Sequence, residues 1–186
     1  MGVSIEQCEI PAVLELVSDV FADERGHFTE FYNEAAARAL GFEQTFVQDN
    51  LSCSAQGVLR GLHYQLNPHA QAKLVRCVTG SIVDVAVDIR VGSPTYGQHV
   101  MRKLSAKKGN ALWVPEGFAH GFLSLEDDTH VMYKCTAHWA NGVEGTIRYD
   151  DPALGIVWPF EPSVVNQKDL DAPGLAEAEN NFIYTA

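Results

Sequence analysis

The 186 residues carry 46% hydrophobic side chains and a formal net charge of −11. That is enough apolar mass for one core, and too acidic a balance for nucleic acid or an anionic membrane to be the main partner. No segment is long and apolar enough to span a bilayer, no repeat or low-complexity run divides the chain, and a single domain over residues 1–186 is expected.

The four cysteines (Cys8, Cys53, Cys77, Cys135) show no C-x-x-C spacing, and the N-terminus lacks the basic start and apolar run of a signal peptide. A reduced, cytoplasmic protein whose thiols serve as small core residues is expected from this pattern. In chain order, Asn33 to Leu40 is predicted to be a short helix. Asn33 caps its first turn, alanine fills it, and Gly41 suits a left-handed stop.

Strands and turns are expected for the rest. Gly57 to Gln65 is strand-like, and Lys73, Val75 and Cys77 alternate against Leu74, Arg76 and Val78. Ser81 to Ile89 alternates most clearly, with Val83, Val85, Val87 and Ile89 on one face. Asp84, Ala86 and Asp88 share the other face with Ile82, so the aspartates face either solvent or a polar cavity. Turn chemistry at 91–95 and 107–110 punctuates further strands, and Val114 to Phe122 sets two glycines and a proline around His120. The tail from Ser163 is expected to pack over one end. Many short strands with few helices indicate an antiparallel sandwich or jelly roll.

The chemistry concentrates where Arg60, His63 and Lys73 fall within a short, otherwise apolar stretch. An imidazole can take a proton near neutral pH, and nearby cations can hold the negative charge that results. A lone strand histidine is usually a satisfied core residue, but burying one beside cations brings no structural gain. A catalytic imidazole needs an orienting carboxylate, for which Asp169 and Asp84 are the options. Tyr133 is either an ordinary strand aromatic or a phenol able to deliver a proton from the opposite side. An anionic substrate would need Arg25, Arg60, Lys73 and Lys168 gathered against the overall field. Metal-binding cupins typically use a His-x-His pair and a following glutamate. Here the stretch reads His63-Tyr64-Gln65, a poor divalent site, so neither metal nor cofactor is expected.

The chain resembles the dTDP-4-dehydrorhamnose 3,5-epimerases, the RmlC-type cupins. The matching segments are Asp23 to Phe28, Phe46 to Asn50, Gly57 to Gln65, Lys73 to Arg76, Asp84 to Asp88 and Val114 to Phe122. Tyr133 to Thr136, Asp150 to Pro152, Gly155 to Pro159 and Lys168-Asp169 continue the series in order. The resemblance implies a mainly β, cupin-type double-stranded β-helix (jelly roll) with short peripheral helices, assembled as a homodimer. It also implies proton chemistry on a dTDP-linked 4-keto-6-deoxy sugar.

By position, His63 is similar to the family base, Asp169 to its orienting partner, Tyr133 to the acid and Lys73 to the group that stabilises the enolate. Arg25, Phe28, Glu30, Gln48, Asn50, Arg60, His120, Glu144 and Lys168 fall where the family contacts substrate, with Arg25 and Phe28 reaching into the neighbouring subunit's site. Asp84 is similar to the residue supporting His120. Where the family usually has a tyrosine pair this chain reads Ala137-His138-Trp139, and Trp139 can still stack on a thymine ring opposite Phe28. A single-centre epimerase of a related deoxysugar pathway, and a non-catalytic sugar-nucleotide-binding jelly roll, are the alternatives.

Overall fold

Alternating apolar and polar residues build two antiparallel sheets in the computed structural model, which describes residues 2–185. The chain opens with β1 (Val3–Gln7) and β2 (Leu14–Ser18), then β3 (Val20–Asp23), β4 (Gly26–Thr29) and α1 (Glu34–Ala39). The central strands are β5 (Gln48–Ser54), β6 (Val58–Gln65), β7 (Lys73–Thr79), β8 (Ser81–Asp88) and β9 (His99–Ser105). They continue as β10 (Asn110–Val114), β11 (Phe118–Ser124) and β12 (Thr129–Cys135). The chain closes with β13 (Glu144–Thr146), β14 (Val164–Val165) and α2 (Gln167–Leu170).

One sheet runs β1-β2-β10-β7-β12-β5; the other runs β13-β6-β11-β8-β9, with β14 added parallel to β6. Val75, Cys77, Leu112 and Val131 of the first sheet pack against Ile82, Ala86, Leu104 and Phe122 of the second. That inner layer is the jelly-roll core. The helix forms as predicted: the Asn33 side chain accepts the Ala36 N–H at 3.1 Å, and Gly41 follows at φ +82°.

Both aspartates of β8 are fully buried, which removes the solvent-facing alternative for that strand. The opposite face, carrying Val83, Val85, Val87 and Ile89, is covered by Leu154, Leu175, Ala178 and Phe182. The tail therefore does not simply pack over one end. It starts at β6, inserts Asp169, and runs along the outer face of the second sheet, because that face is too apolar to meet water. Cys8, Cys77 and Cys135 are buried core thiols as expected, whereas Cys53 is exposed on the edge strand β5.

Asp88 ends β8 as a clamp. Its carboxylate accepts from Arg90 Nε and Nη2 at 2.9 and 2.7 Å, and from the Ser93 and Thr95 hydroxyls, each at 2.6 Å. Burial works against its charge, but these hydrogen bonds outweigh it and hold the pKa below the ordinary 3.8. Because the folded value lies below the unfolded one, this stabilisation is complete above the ordinary carboxylate range and is lost as pH falls below it. Asp88→Ala, which strands a partly buried guanidinium, is expected to cost about 3–5 kcal/mol in urea unfolding at neutral pH.

Candidate active site

Residues 60 and 63 would lie on opposite faces of a regular strand. In β6 they share the inner face because a bulge intervenes: His63 pairs with His120 and Arg60 with Phe122, three steps on β6 against two on β11. Gly61 sits in the bulge at φ +131°, and a Cβ there would come within 2.5 Å of Gly121 Cα. Only glycine permits this approach. The buried Gly61 N–H donates to Asp169 Oδ2 at 3.1 Å, which seats the tail against the strand.

Asp169 Oδ1 lies 2.6 Å from His63 Nε2. Asn166 caps α2 and holds Asp169 twice, accepting its backbone N–H at 2.8 Å and donating Nδ2 to its carboxylate Oδ2 at 3.1 Å. Burial would neutralise Asp169, but the His63 ring, the Gly61 N–H and the Lys168 charge keep its pKa below the ordinary carboxylate value. Of the two candidate partners for His63, the structure selects Asp169. Asp84 instead meets His120 Nε2 at 2.8 Å, and both members of that pair are buried.

The opposite wall comes from the other sheet. Lys73 opens β7 and Tyr133 lies on the neighbouring β12, with the Lys73 ammonium 5.9 Å from the phenol ring centre. Burial lowers the Lys73 pKa, a shift opposed by Cys135, Asp84 and Glu144, and among the described residues no carboxylate lies within 4.0 Å of its nitrogen. Burial raises the Tyr133 pKa, with Cys135 and Glu144 adding to the shift and Arg60 opposing it, so the phenol keeps its proton at neutral pH. Arg60, His63, Lys73, His120 and Tyr133 line one cavity of about 220 Å³.

Three lining residues escaped the sequence reading: Ser52, Phe122 and Asn166. Ser52 continues the every-second-residue series Gln48, Asn50, Ser52 along β5, and Phe122 continues His120 on β11; both signals were available. Asn166 could have been found as a helix cap.

At the rim, Lys168 Nζ bonds Glu144 Oε2 at 3.0 Å. Burial acts against the Glu144 charge, and the Lys168 contact overcomes it to lower the pKa. Gln48 Nε2 donates to Asn50 Oδ1 at 3.1 Å and its Oε1 accepts the Trp139 N–H at 2.8 Å. Gln71 Nε2 donates to the Ala137 carbonyl at 2.7 Å, and Gln65 Oε1 accepts the Ala140 N–H at 2.8 Å. The unusual His138-Trp139 loop is thus pinned through its backbone, with the indole 54% exposed. Arg25, Phe28 and Glu30 are not part of this chain's own cavity. Arg25 and Phe28 belong to the β3–β4 hairpin, where Phe28 is 59% exposed. Glu30 borders a separate small hollow that also contains Arg76.

A jelly roll whose one cavity is lined by a carboxylate-backed imidazole, a phenol and a buried ammonium has the fold of the cupins and a site equipped for proton-transfer enzymology. The family model for dTDP-4-dehydrorhamnose 3,5-epimerase matches residues 7–177. The enzyme of that name from Salmonella typhimurium is 50% identical over 171 residues, covering 91% of this chain and 93% of the relative. A crystal structure of the Legionella pneumophila enzyme in complex with dTDP-4-keto-L-rhamnose superposes with TM-score 0.93 at 40% identity, covering 99% and 100% of the two chains. A 3′-monoepimerase from Streptomyces bikiniensis in complex with dTDP-quinovose is 34% identical with TM-score 0.86, covering 92% of this chain and 87% of its own. The chain belongs to the dTDP-4-dehydrorhamnose 3,5-epimerase family.

Proposed function

We propose that this protein converts dTDP-4-dehydro-6-deoxyglucose to dTDP-4-dehydrorhamnose by inverting C3 and C5 in turn. The observation that carries the reading is the placement of His63, backed by Asp169, and Tyr133 on opposite walls of one cavity. The 4-keto group acidifies the C–H bonds on both neighbouring carbons. His63 takes the proton from one face, and the electron pair moves into an enolate whose oxygen gains charge. Lys73 holds that oxygen. Tyr133 returns a proton to the opposite face, which inverts the centre, and the ketone reforms. Asp169 keeps the imidazole in the tautomer that accepts, and its negative charge favours the imidazolium that forms.

Tyr133→Phe is expected to separate the two half-steps. In D₂O the variant should still wash deuterium into the sugar through His63 while net inversion falls by about 10²-fold or more. Full epimerisation by this variant would remove Tyr133 from the acid role.

Binding of the nucleotide diphosphate falls to Arg60, Lys168 and, in a homodimer, to Arg25 and Phe28 of the neighbouring subunit. The exposure of the β3–β4 hairpin, away from its own cavity, supports that exchange. Trp139 and Phe28 would then hold the thymine between them. Co-expressing Arg25→Ala with His63→Ala tests it: each variant alone should be nearly inactive, and random pairing should restore about a quarter of wild-type activity through one intact site per mixed dimer. No recovery would place Arg25 in its own chain's site.

A single-centre epimerase is the second reading, favoured by the His138-Trp139 sequence at the rim where the family usually has tyrosines. Deuterium entering the sugar at one carbon only would select it.

A further inference from the structure

We propose that Cys53, Asp128 and His130 form a binding site for a soft divalent cation of the zinc class on the β5–β12 edge of the first sheet. Cys53 and His130 are directly paired across β5 and β12, so both side chains leave the same face of the ladder. Asp128 sits in the turn before β12, two residues before His130. Its Oδ1 lies 3.5 Å from Cys53 Sγ and 3.7 Å from His130 Nδ1, and one donor atom from each residue falls within 4.8 Å of the other two.

Those spacings are close to what a tetrahedral zinc ion needs. Bond lengths of about 2.3 Å to sulfur and about 2.0–2.2 Å to nitrogen or oxygen give ligand–ligand edges of roughly 3.3–3.7 Å. Two edges are already near this length, and the third closes with side-chain rotation. The ligand set is one thiolate, one imidazole and one carboxylate, which suits zinc better than magnesium or calcium. Three protein ligands leave the fourth position to water. His130 Nδ1 also lies 3.0 Å from the Asp128 carbonyl, a contact the ring surrenders when that nitrogen binds the ion.

The site is open to solvent, since the Asp128 side chain is 78% exposed and that of His130 31% exposed. It is separate from the catalytic imidazole but adjoins the cavity. The Cys53 carbonyl accepts Arg60 Nη2 at 3.1 Å, and Arg60 lines the active-site wall.

The test is equilibrium zinc binding to the purified full chain, measured by competition with a chromophoric chelator. One zinc per chain is expected at this site. Cys53→Ser, His130→Ala and Asp128→Asn should each weaken it by at least about tenfold, the lower bound known even for outer-shell changes. Cobalt(II) loaded in place of zinc should show a near-ultraviolet thiolate-to-cobalt band that Cys53→Ser abolishes; the other three thiols are buried and would not supply it. Unchanged zinc affinity in Cys53→Ser or His130→Ala, or cobalt binding without a sulfur band, would overturn the proposal. Because the readouts are metal binding and absorbance, they do not depend on the epimerase reading.

Discussion

His63→Ala is expected to abolish deuterium exchange at both sugar carbons and to lower turnover by about 10²–10⁴-fold, the usual contribution of a positioned general base. The affinity for dTDP should change little, because the imidazole is assigned to the sugar ring and not to the nucleotide. The geometry explains why no other group substitutes. The Asp169 carboxylate is fully buried and engaged by the Gly61 N–H, Asn166 and the His63 ring, so it cannot reach the substrate itself. His120 lies beside His63 on the next strand, but its Nε2 is committed to Asp84. Residual exchange near the wild-type rate, measured by proton NMR, would rule out His63 as the base.

Lys73→Met is expected to cost about 10²–10³-fold in turnover, equivalent to the 3–4 kcal/mol lost when one preorganised oxyanion donor is removed. Methionine fills similar volume, so the loss reports charge and not a collapsed wall. The ammonium has been brought into the cavity at the expense of its hydration, which lowers its pKa, and no carboxylate is paired with it among the described residues. Such a cation interacts weakly with a neutral ketone and strongly with the enolate that replaces it, so its effect falls on turnover more than on substrate affinity. A rise in KM with unchanged turnover would assign Lys73 to ground-state binding instead.

Most of the cavity lining was legible because its residues sit in short, distinctive runs. His63, Lys73 and Tyr133 could be read from the type of side chain in otherwise apolar strands, and the family resemblance supplied the roles proposed for them. Simple alternation was misleading at one place. It separates Arg60 from His63, and only the Gly61 bulge, set by a close approach to Gly121, returns both to one face.

The choice between Asp84 and Asp169 could not be made from spacing. It depends on a tail segment more than a hundred residues away folding back on β6, a long-range contact that local pattern does not encode. The fate of the β8 aspartates was likewise undecided in the sequence, because a strand whose valine face is covered by a distant tail looks the same locally as one whose aspartate face meets water. Cys53 departed from the expectation of buried thiols because β5 ends its sheet and leaves that side chain uncovered.

On the proposed mechanism, protons leave and enter the two carbons flanking the ketone through this cavity. Proton NMR of dTDP-4-dehydro-6-deoxyglucose incubated with the wild-type protein in D₂O tests it directly. Deuterium is expected at both C3 and C5 of a product with both centres inverted. A substrate that keeps both hydrogens, with the protein folded and binding dTDP, would contradict it.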